Sequence, residues 1–223
     1  MTEEELVVLD SKLLEIDHYF KYPIMMPWIG NYYGERYKRV LFVGESHYFP
    51  SNSKAQMIPD QWYHSRQDCL IDDELDYINT RDVISNRHSK NGIWKNPGQI
   101  MINQDILPPL ESNNVFDWFC FYNFFQRPAQ IEGNELLINE IDIKIANEVF
   151  HSNIQILKPE VVIFLSSKAW NSSNKNGMND IIFDFVPHPS SNWWNRKSMK
   201  YSGVDRIPLT GKEKFERLVS YFY

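Results

Sequence analysis

Apolar residues recur every three or four positions in three segments of the chain, which is the period of an amphipathic helix. The first segment covers residues 3 to about 20, the second covers about 134 to 157, and the third covers about 211 to 222. Thr210 and Glu213 are spaced as a capping box would be at the start of the third segment. The pattern therefore predicts three amphipathic helices.

Other stretches have a weaker pattern. The stretch "PIMMPWIGNYYG" (23–34) is predicted to be irregular because prolines interrupt it. Residues 50–95 are polar with little periodicity, which favours short helices and loops over one edge of a sheet. The segment "GQIMINQDIL" follows Pro97 and predicts a further helix, which Pro108 would end.

Four short runs are apolar with no alternation, which is typical of strands buried on both faces of a parallel sheet. These runs are "VLFV" (40–43), "NVFDWFCFYNF" (114–124), "EVVIFLSS" (160–167) and "DIIFDFVPH" (180–188). Strands that are separated by helical segments predict an α/β fold. We therefore expect one domain over residues 1–223, in three layers, with a central, mainly parallel four-stranded sheet and helices on both faces. The helix within residues 1–25 is expected to pack on this domain.

Charge is distributed unevenly along the chain. The net charge is −6, a mild argument against bulk affinity for nucleic acid. Between His188 and Arg217, however, seven Lys and Arg residues face three acidic residues, so that this segment carries a net charge of +4. A basic segment of this kind is either a solvated face or a surface that attracts phosphate.

Several classes of protein are disfavoured by the composition. The two cysteines, Cys69 and Cys120, are far apart and have no metal-ligand spacing, so we expect neither a metal site, a cofactor nor a disulfide framework. The sequence contains no run of 18 uncharged apolar residues, so we expect no membrane span. The acidic start "MTEEELVVLD" is unlike a signal peptide. The expectation is a reduced, cytoplasmic, monomeric protein.

Polar residues follow every predicted strand. Because ligands bind at the carboxyl ends of parallel strands, these residues are expected to share one crevice. In chain order they are Glu45, Ser46, His47 and Tyr48, then Asn123, then Ser166 and Ser167, then His188 and Ser190.

The segments "VGESHY", "FYN" and "PHPSSNWW", in this order, resemble the motifs of the uracil-DNA glycosylase superfamily. "ILKPEVVIFLSSKAW" is similar to a helix–Pro–strand segment of the same family, and the resemblance covers roughly residues 26–195. It implies a uracil-DNA glycosylase-like fold. It also implies base excision in DNA repair, by metal-free hydrolysis of the N-glycosidic bond of a flipped uracil or modified base.

The resemblance also implies a role for individual residues. His188 would stabilise the leaving base, Asn123 would read the base edge, and Tyr48 would wall the base pocket. The segment after His188 would contact DNA, with Ser190 on a phosphate and two indoles near the base stack. The residues expected to contact DNA are Ser190, Ser191, Asn192, Trp193, Trp194 and Arg196.

The chain departs from the family pattern at the group that activates water. Ser46 stands where several members have an aspartate, and His47 stands where they have a proline. Either Glu45 or His47 would then supply the polar group, so Glu45, Ser46, His47 and His188 are the candidate catalytic residues. A modified base fits this departure at least as well as uracil does.

Two other functions are compatible with the same residues. The first is a non-catalytic module that binds nucleic acid or protein on the same fold, which the missing aspartate and the acidic net charge favour. The second is a serine hydrolase, because Ser46, Asp184 and His188 follow the chain order of a triad. Against the hydrolase, Tyr48 replaces a glycine that the sharp nucleophile turn requires.

Simpler structural roles also remain open. Trp193 and Trp194 could pack on the terminal helix, and Glu45 and His47 could form an exposed ion pair.

Overall fold

A computed structural model of the chain describes residues 1–87, 90–103, 114–129, 136–203 and 205–223. The strands in this part of the chain are β1 (Trp28–Ile29), β2 (Val40–Gly44), β3 (Cys120–Asn123), β4 (Val161–Phe164) and β5 (Ile182–Phe185). They form one sheet in the order β1-β3-β2-β4-β5. β1 runs antiparallel to β3, and all other neighbours are parallel.

The four predicted strands are therefore confirmed as a parallel set, but the prediction of a four-stranded sheet is wrong by one strand. The additional strand, β1, lies in the stretch that we predicted to be irregular. It has two residues, Trp28 and Ile29, which pair with Phe121 and Cys120. Two residues are too few to leave a periodic pattern in the sequence.

The second predicted strand is shorter than its apolar run. A 3₁₀ helix occupies Val115–Trp118, and β3 begins only at Cys120. The Asn114 side chain caps this 3₁₀ helix by accepting a hydrogen bond from the Phe116 N–H. Both elements are buried throughout, so an apolar run alone does not separate them.

The α-helices in the described residues are α1 (Glu3–Leu13), α2 (Asp17–Lys21), α3 (Pro59–His64), α4 (Asp72–Ile78), α5 (Thr80–Arg87), α6 (Gly92–Asn103), α7 (Glu140–Leu157), α8 (Ser167–Ser172) and α9 (Gly211–Leu218). Further 3₁₀ helices are Pro23–Met25, Gln67–Cys69, Asn192–Trp194, Met199–Tyr201 and Val219–Phe222.

The predicted helices are present with different ends. The first is divided into α1 and α2 because Ile16 adopts an extended conformation between them. The second begins at Glu140, where Asn139 and Asp142 form a capping box. The third is capped by Thr210 and Glu213 as predicted. The helix expected after Pro97 already begins at Gly92, and its expected end at Pro108 lies outside the described residues.

Helices cover both faces of the sheet. Successive side chains of β2 point to opposite faces, as the pleat requires. Leu41 and Val43 belong to one apolar cluster, which includes Leu13 of α1 and the buried face of α7. Val40 and Phe42 belong to a second cluster, built mainly from α6, α9 and the 3₁₀ helix after α9. This arrangement is compatible with a three-layer α/β fold, and α1 packs against α7.

No helix in the part of the chain that the structure describes is long and apolar enough to cross a membrane.

A buried ion pair joins the segment after β3 to the first turn of α7. Arg127 donates to Asp142 through Nε at 2.8 Å and through Nη2 at 2.6 Å. The same carboxylate accepts hydrogen bonds from the Tyr63 hydroxyl at 2.8 Å and from the Asn139 N–H at 3.1 Å. Arg127 also donates to the carbonyl of Gln56 at 2.9 Å. Both charges are fully buried, and each is satisfied by its partners.

Replacing Asp142 by Asn should therefore destabilise the fold strongly, because Arg127 would remain buried without a counter-charge. Breaking a buried pair from one side costs about 3–5 kcal/mol. The free energy of unfolding, measured by urea denaturation, should fall by about that amount. Glu148→Gln is the control, since its pair with Lys144 is exposed and worth about 0–1 kcal/mol. Equal losses in the two variants would contradict the prediction.

Candidate functional site at the carboxyl edge of the sheet

The polar residues predicted to follow the strands meet at one edge of the sheet. Gly44 and Asn123 are paired at the ends of β2 and β3. Glu45 follows Gly44 and contacts Ser166, which caps α8 after β4. A Cβ on residue 44 would overlap the Asn123 side-chain oxygen. Glycine is therefore required there for the amide of Asn123 to lie over the end of β2.

A cavity of about 200 Å³ opens beside these strand ends. Residues 46–48, Asn123 and His188 line it from the sheet edge. The remaining lining comes from helical segments, namely Tyr77, Val83, Asn91, Ile93 and Trp94. Two larger clefts, of about 550 and 800 Å³, lie between α2 and α7 and between α1 and the end of α7, and contain none of the residues that follow the parallel strands. The smaller cavity is the candidate site because polar groups converge on it.

Asn123 presents a free amide to this cavity. The residue is buried, and its backbone carbonyl accepts a hydrogen bond from Gln126 Nε2 at 2.6 Å. Its side-chain amide makes no hydrogen bond within the described part of the chain. An amide that lines a cavity without a protein partner can donate to and accept from a ligand or water there. Asn123 is thus available for the edge-reading role that the sequence predicted.

His188 is held in one tautomer by its own loop. The Ser190 N–H donates to His188 Nδ1 at 3.2 Å. Because a backbone N–H can only donate, Nδ1 carries the lone pair, and the proton of the neutral ring is on Nε2. Burial lowers the pKa of His188, although the negative charge of Glu45 acts in the opposite direction. At neutral pH the ring is therefore a hydrogen-bond donor through Nε2.

Glu45 lies beside the cavity rather than in its lining. Ser166 Oγ donates to its carboxylate at 2.6 Å, and Lys168 Nζ lies 3.7 Å from the other carboxylate oxygen. Burial first, and then the Glu45 charge, raise the pKa of Tyr48. The same charge also acts on His188, so it affects two of the residues that line the cavity.

Ser46 and His47 are less suited to activating water than their positions in the sequence suggested. The Ser46 hydroxyl is buried and has no hydrogen-bond partner among the described residues. His47 Nε2 lies 3.2 Å from Thr80 Oγ1. Burial lowers the pKa of His47 to about 4. His47 is a neutral, buried link to the helices and does not form an exposed ion pair with Glu45.

The two indoles that follow His188 have different environments. Trp194 is only 3% exposed and packs against Phe215 of α9, with 6.0 Å between ring centroids. Trp193 is 51% exposed. Trp194 is part of the core, so only Trp193 remains a candidate for contact with DNA. The structural role that the sequence left open is correct for Trp194 alone.

The other predicted DNA-contacting residues lie on the same loop. Ser190 is exposed, and its hydroxyl lies against Gly92 at the start of α6. Asn96 Nδ2 donates to the Pro189 carbonyl at 2.8 Å, which ties the loop to that helix. The Ser191 hydroxyl is buried without a partner among the described residues, whereas Asn192 and Arg196 are exposed.

A serine hydrolase triad is not assembled. Asp184 pairs with Lys214 at 2.5 Å instead of orienting His188. His188 Nδ1, the atom that the acid of a triad would contact, accepts the Ser190 N–H. The Ser46 hydroxyl has no partner within the described residues. The geometry therefore counts against this alternative.

Sequence reasoning missed the helical side of the cavity. Tyr77, Val83 and Trp94 come from segments whose weak periodicity marked only short helices and loops. Nothing in their residue types distinguishes them from ordinary core residues. Lys168 was missed as well, because a surface lysine after a strand carries no specific signal.

No protein-family model matches the chain, and no curated protein matches it either. Among the residues that the structure describes, no three His, Cys, Asp or Glu side chains gather as a metal ion would need. The interpretation of the site therefore depends on its geometry.

Stability should fall as the pH decreases below 6.5. Burial lowers the pKa of His18 to about 3 and that of His47 to about 4, from an ordinary value of 6.5. Between pH 6.5 and the lowered pKa of each group, the unfolded chain binds more protons than the folded chain, so acid favours unfolding. Between pH 7 and pH 5, each histidine should remove about 2 kcal/mol from the free energy of unfolding.

Urea denaturation at both pH values measures this effect. His47→Gln removes one of the two groups, so its loss between pH 7 and pH 5 should be smaller by about 2 kcal/mol. His64→Gln is the matched control, because His64 is exposed. The same loss in His47→Gln as in the unsubstituted protein would show that His47 is not responsible.

Proposed function

We propose that this protein hydrolyses the N-glycosidic bond of a uracil or modified base flipped out of DNA, on a fold of the uracil-DNA glycosylase type. The observation that carries the proposal is the pairing of two groups at one cavity. Asn123, with its free amide, and His188, with its proton on Nε2, both line it. One group is suited to reading a base edge, and the other to stabilising the charge on a leaving base.

The size and lining of the cavity fit a single base. Pockets for drug-sized ligands hold about 300–1,000 Å³, whereas this one holds about 200 Å³. Tyr48, Tyr77 and Trp94 give it aromatic surfaces, on which a planar heterocycle stacks favourably. Extruding a base from a duplex costs a few kcal/mol, and these contacts would offset that cost.

Different residues would act on the base and on the sugar. When the bond between the sugar C1′ and the base nitrogen breaks, the electron pair goes to the base and positive charge develops on the sugar. The His188 Nε2–H would stabilise the departing base. The Glu45 carboxylate is held by Ser166 and Lys168 beside the cavity. It would face the sugar, where it can stabilise the positive charge and accept a proton from the attacking water.

The loop after His188 would contact the DNA backbone. Its exposed indole, Trp193, is followed by the exposed side chains of Arg196 and Lys197. An aromatic ring beside cations suits a strand whose bases are unstacked and whose phosphates are charged. Ser190, beside the start of α6, would hold a flanking phosphate.

A catalytically inactive module that binds nucleic acid is the second candidate. One observation favours it: the cavity lining contains no carboxylate, and Glu45 is already paired with Lys168. Such a module would use Asn123 and His188 for recognition alone.

Base release from single- and double-stranded oligonucleotides that carry uracil or modified bases tests the proposal. His188→Ala and Asn123→Ala should each reduce release by about 100-fold or more, the scale of losing a key electrostatic donor. His151→Ala is the matched histidine control, because that ring bonds Asn174 on another part of the surface. Asn176→Ala, at an exposed position, is the matched asparagine control.

Each outcome has a definite meaning. Release that His188→Ala leaves intact would contradict the proposed mechanism. Binding to the same oligonucleotides without release of any base would favour the inactive module.

A further inference from the structure

The helical side of the cavity is connected to the sheet edge by His47. Tyr77 lies near the end of α4 and Val83 lies in α5, and both line the cavity. His47 contacts the corner between these two helices through its Nε2, which lies 3.2 Å from Thr80 Oγ1 at the start of α5. This bond therefore reaches the chain between the two wall residues.

The partners of this link are buried on both sides. His47 and Thr80 both have less than a tenth of their surface exposed. Thr80 Oγ1 also donates to the Met25 carbonyl at 3.3 Å, so in the bond between Thr80 and the neutral His47 ring the hydroxyl oxygen accepts from Nε2–H. Because His47 stands between Ser46 and Tyr48, which themselves line the cavity, the link fixes how far the α4–α5 corner stands from the sheet edge. Buried hydrogen bonds are costly to break, so this separation is well determined.

We propose that His47 and Thr80 are positioning residues which set the width of the cavity and so select against bases with larger substituents. This inference depends on the proposed function, since it assumes that the cavity holds the base. It gives His47 a role in choosing the substrate instead of activating water. A single methylene in a closely fitting pocket changes specificity by about 10–200-fold, so a small outward movement of Tyr77 is enough to relax the selection.

The pair Thr80→Val and Thr80→Ser isolates the hydrogen bond. Valine keeps the shape of the side chain and removes the hydroxyl, whereas serine keeps the hydroxyl. The measurement is kcat and KM for release of uracil and of 5-substituted uracils of increasing size from single-stranded DNA. In the unsubstituted protein, kcat/KM should fall as the substituent grows.

In Thr80→Val, the ratio of kcat/KM for uracil to kcat/KM for the larger bases should fall by about tenfold or more. The kcat for uracil should change by less than about threefold. Thr80→Ser should retain the original discrimination. Tyr77→Ala should relax it as well, because it removes the wall residue itself. If Thr80→Val does not fold, unchanged discrimination in Tyr77→Ala still overturns the inference, because the α4–α5 corner would then not bound the base.

Discrimination that is unchanged in Thr80→Val and Tyr77→Ala would overturn the inference. So would an equal loss of kcat on every base, which would indicate general damage to the site. Saturation-transfer NMR with free deoxyuridine and its 5-substituted forms separates the two proposals. If the unsubstituted protein neither binds nor releases any base, the proposed function fails and the inference with it. If it discriminates by size and Thr80→Val discriminates equally, the inference fails alone.

Discussion

The ion pair between Arg127 and Asp142 is the constraint on which the site depends. It holds the segment that follows β3 against α7, and this segment in turn lies beside the loop after β2. Phe124 and Phe125 donate their N–H groups to the carbonyls of Gly44 and Glu45. The charge pair therefore holds the segment that follows Asn123, although neither charge lines the cavity.

A polar network is a demanding way to fix such a segment. A desolvated carboxylate is tolerated only when its oxygens are satisfied, and here four donors from three residues satisfy them. In return, the network specifies one arrangement of three separate parts of the chain, whereas an apolar contact would permit several. The cavity residues can then remain partly unsatisfied, as a binding site requires.

Much of the sheet and about half of the cavity could be predicted from the sequence, for one physical reason. Parallel strands buried on both faces leave apolar runs, and the residues that end those runs must lie at the carboxyl edge, which locates Glu45, Asn123 and His188. β1 could not be found, because two residues have no period. Nor could Trp193 be separated from Trp194, since neighbouring residues differ only in the direction of their side chains. Tyr77 and Val83 were missed because tertiary contacts, and no local pattern, bring them to the cavity.

The central position of β2 affects how the chain is made. Both of its parallel neighbours, β3 and β4, lie later in the sequence, and the register pairs Val40 with Val161. During synthesis, β2 leaves the ribosome with unpaired backbone groups on both sides and an apolar surface on both faces. Strands in this state associate readily with other chains. One edge of β2 therefore stays without its partner strand until Val161–Phe164 has emerged.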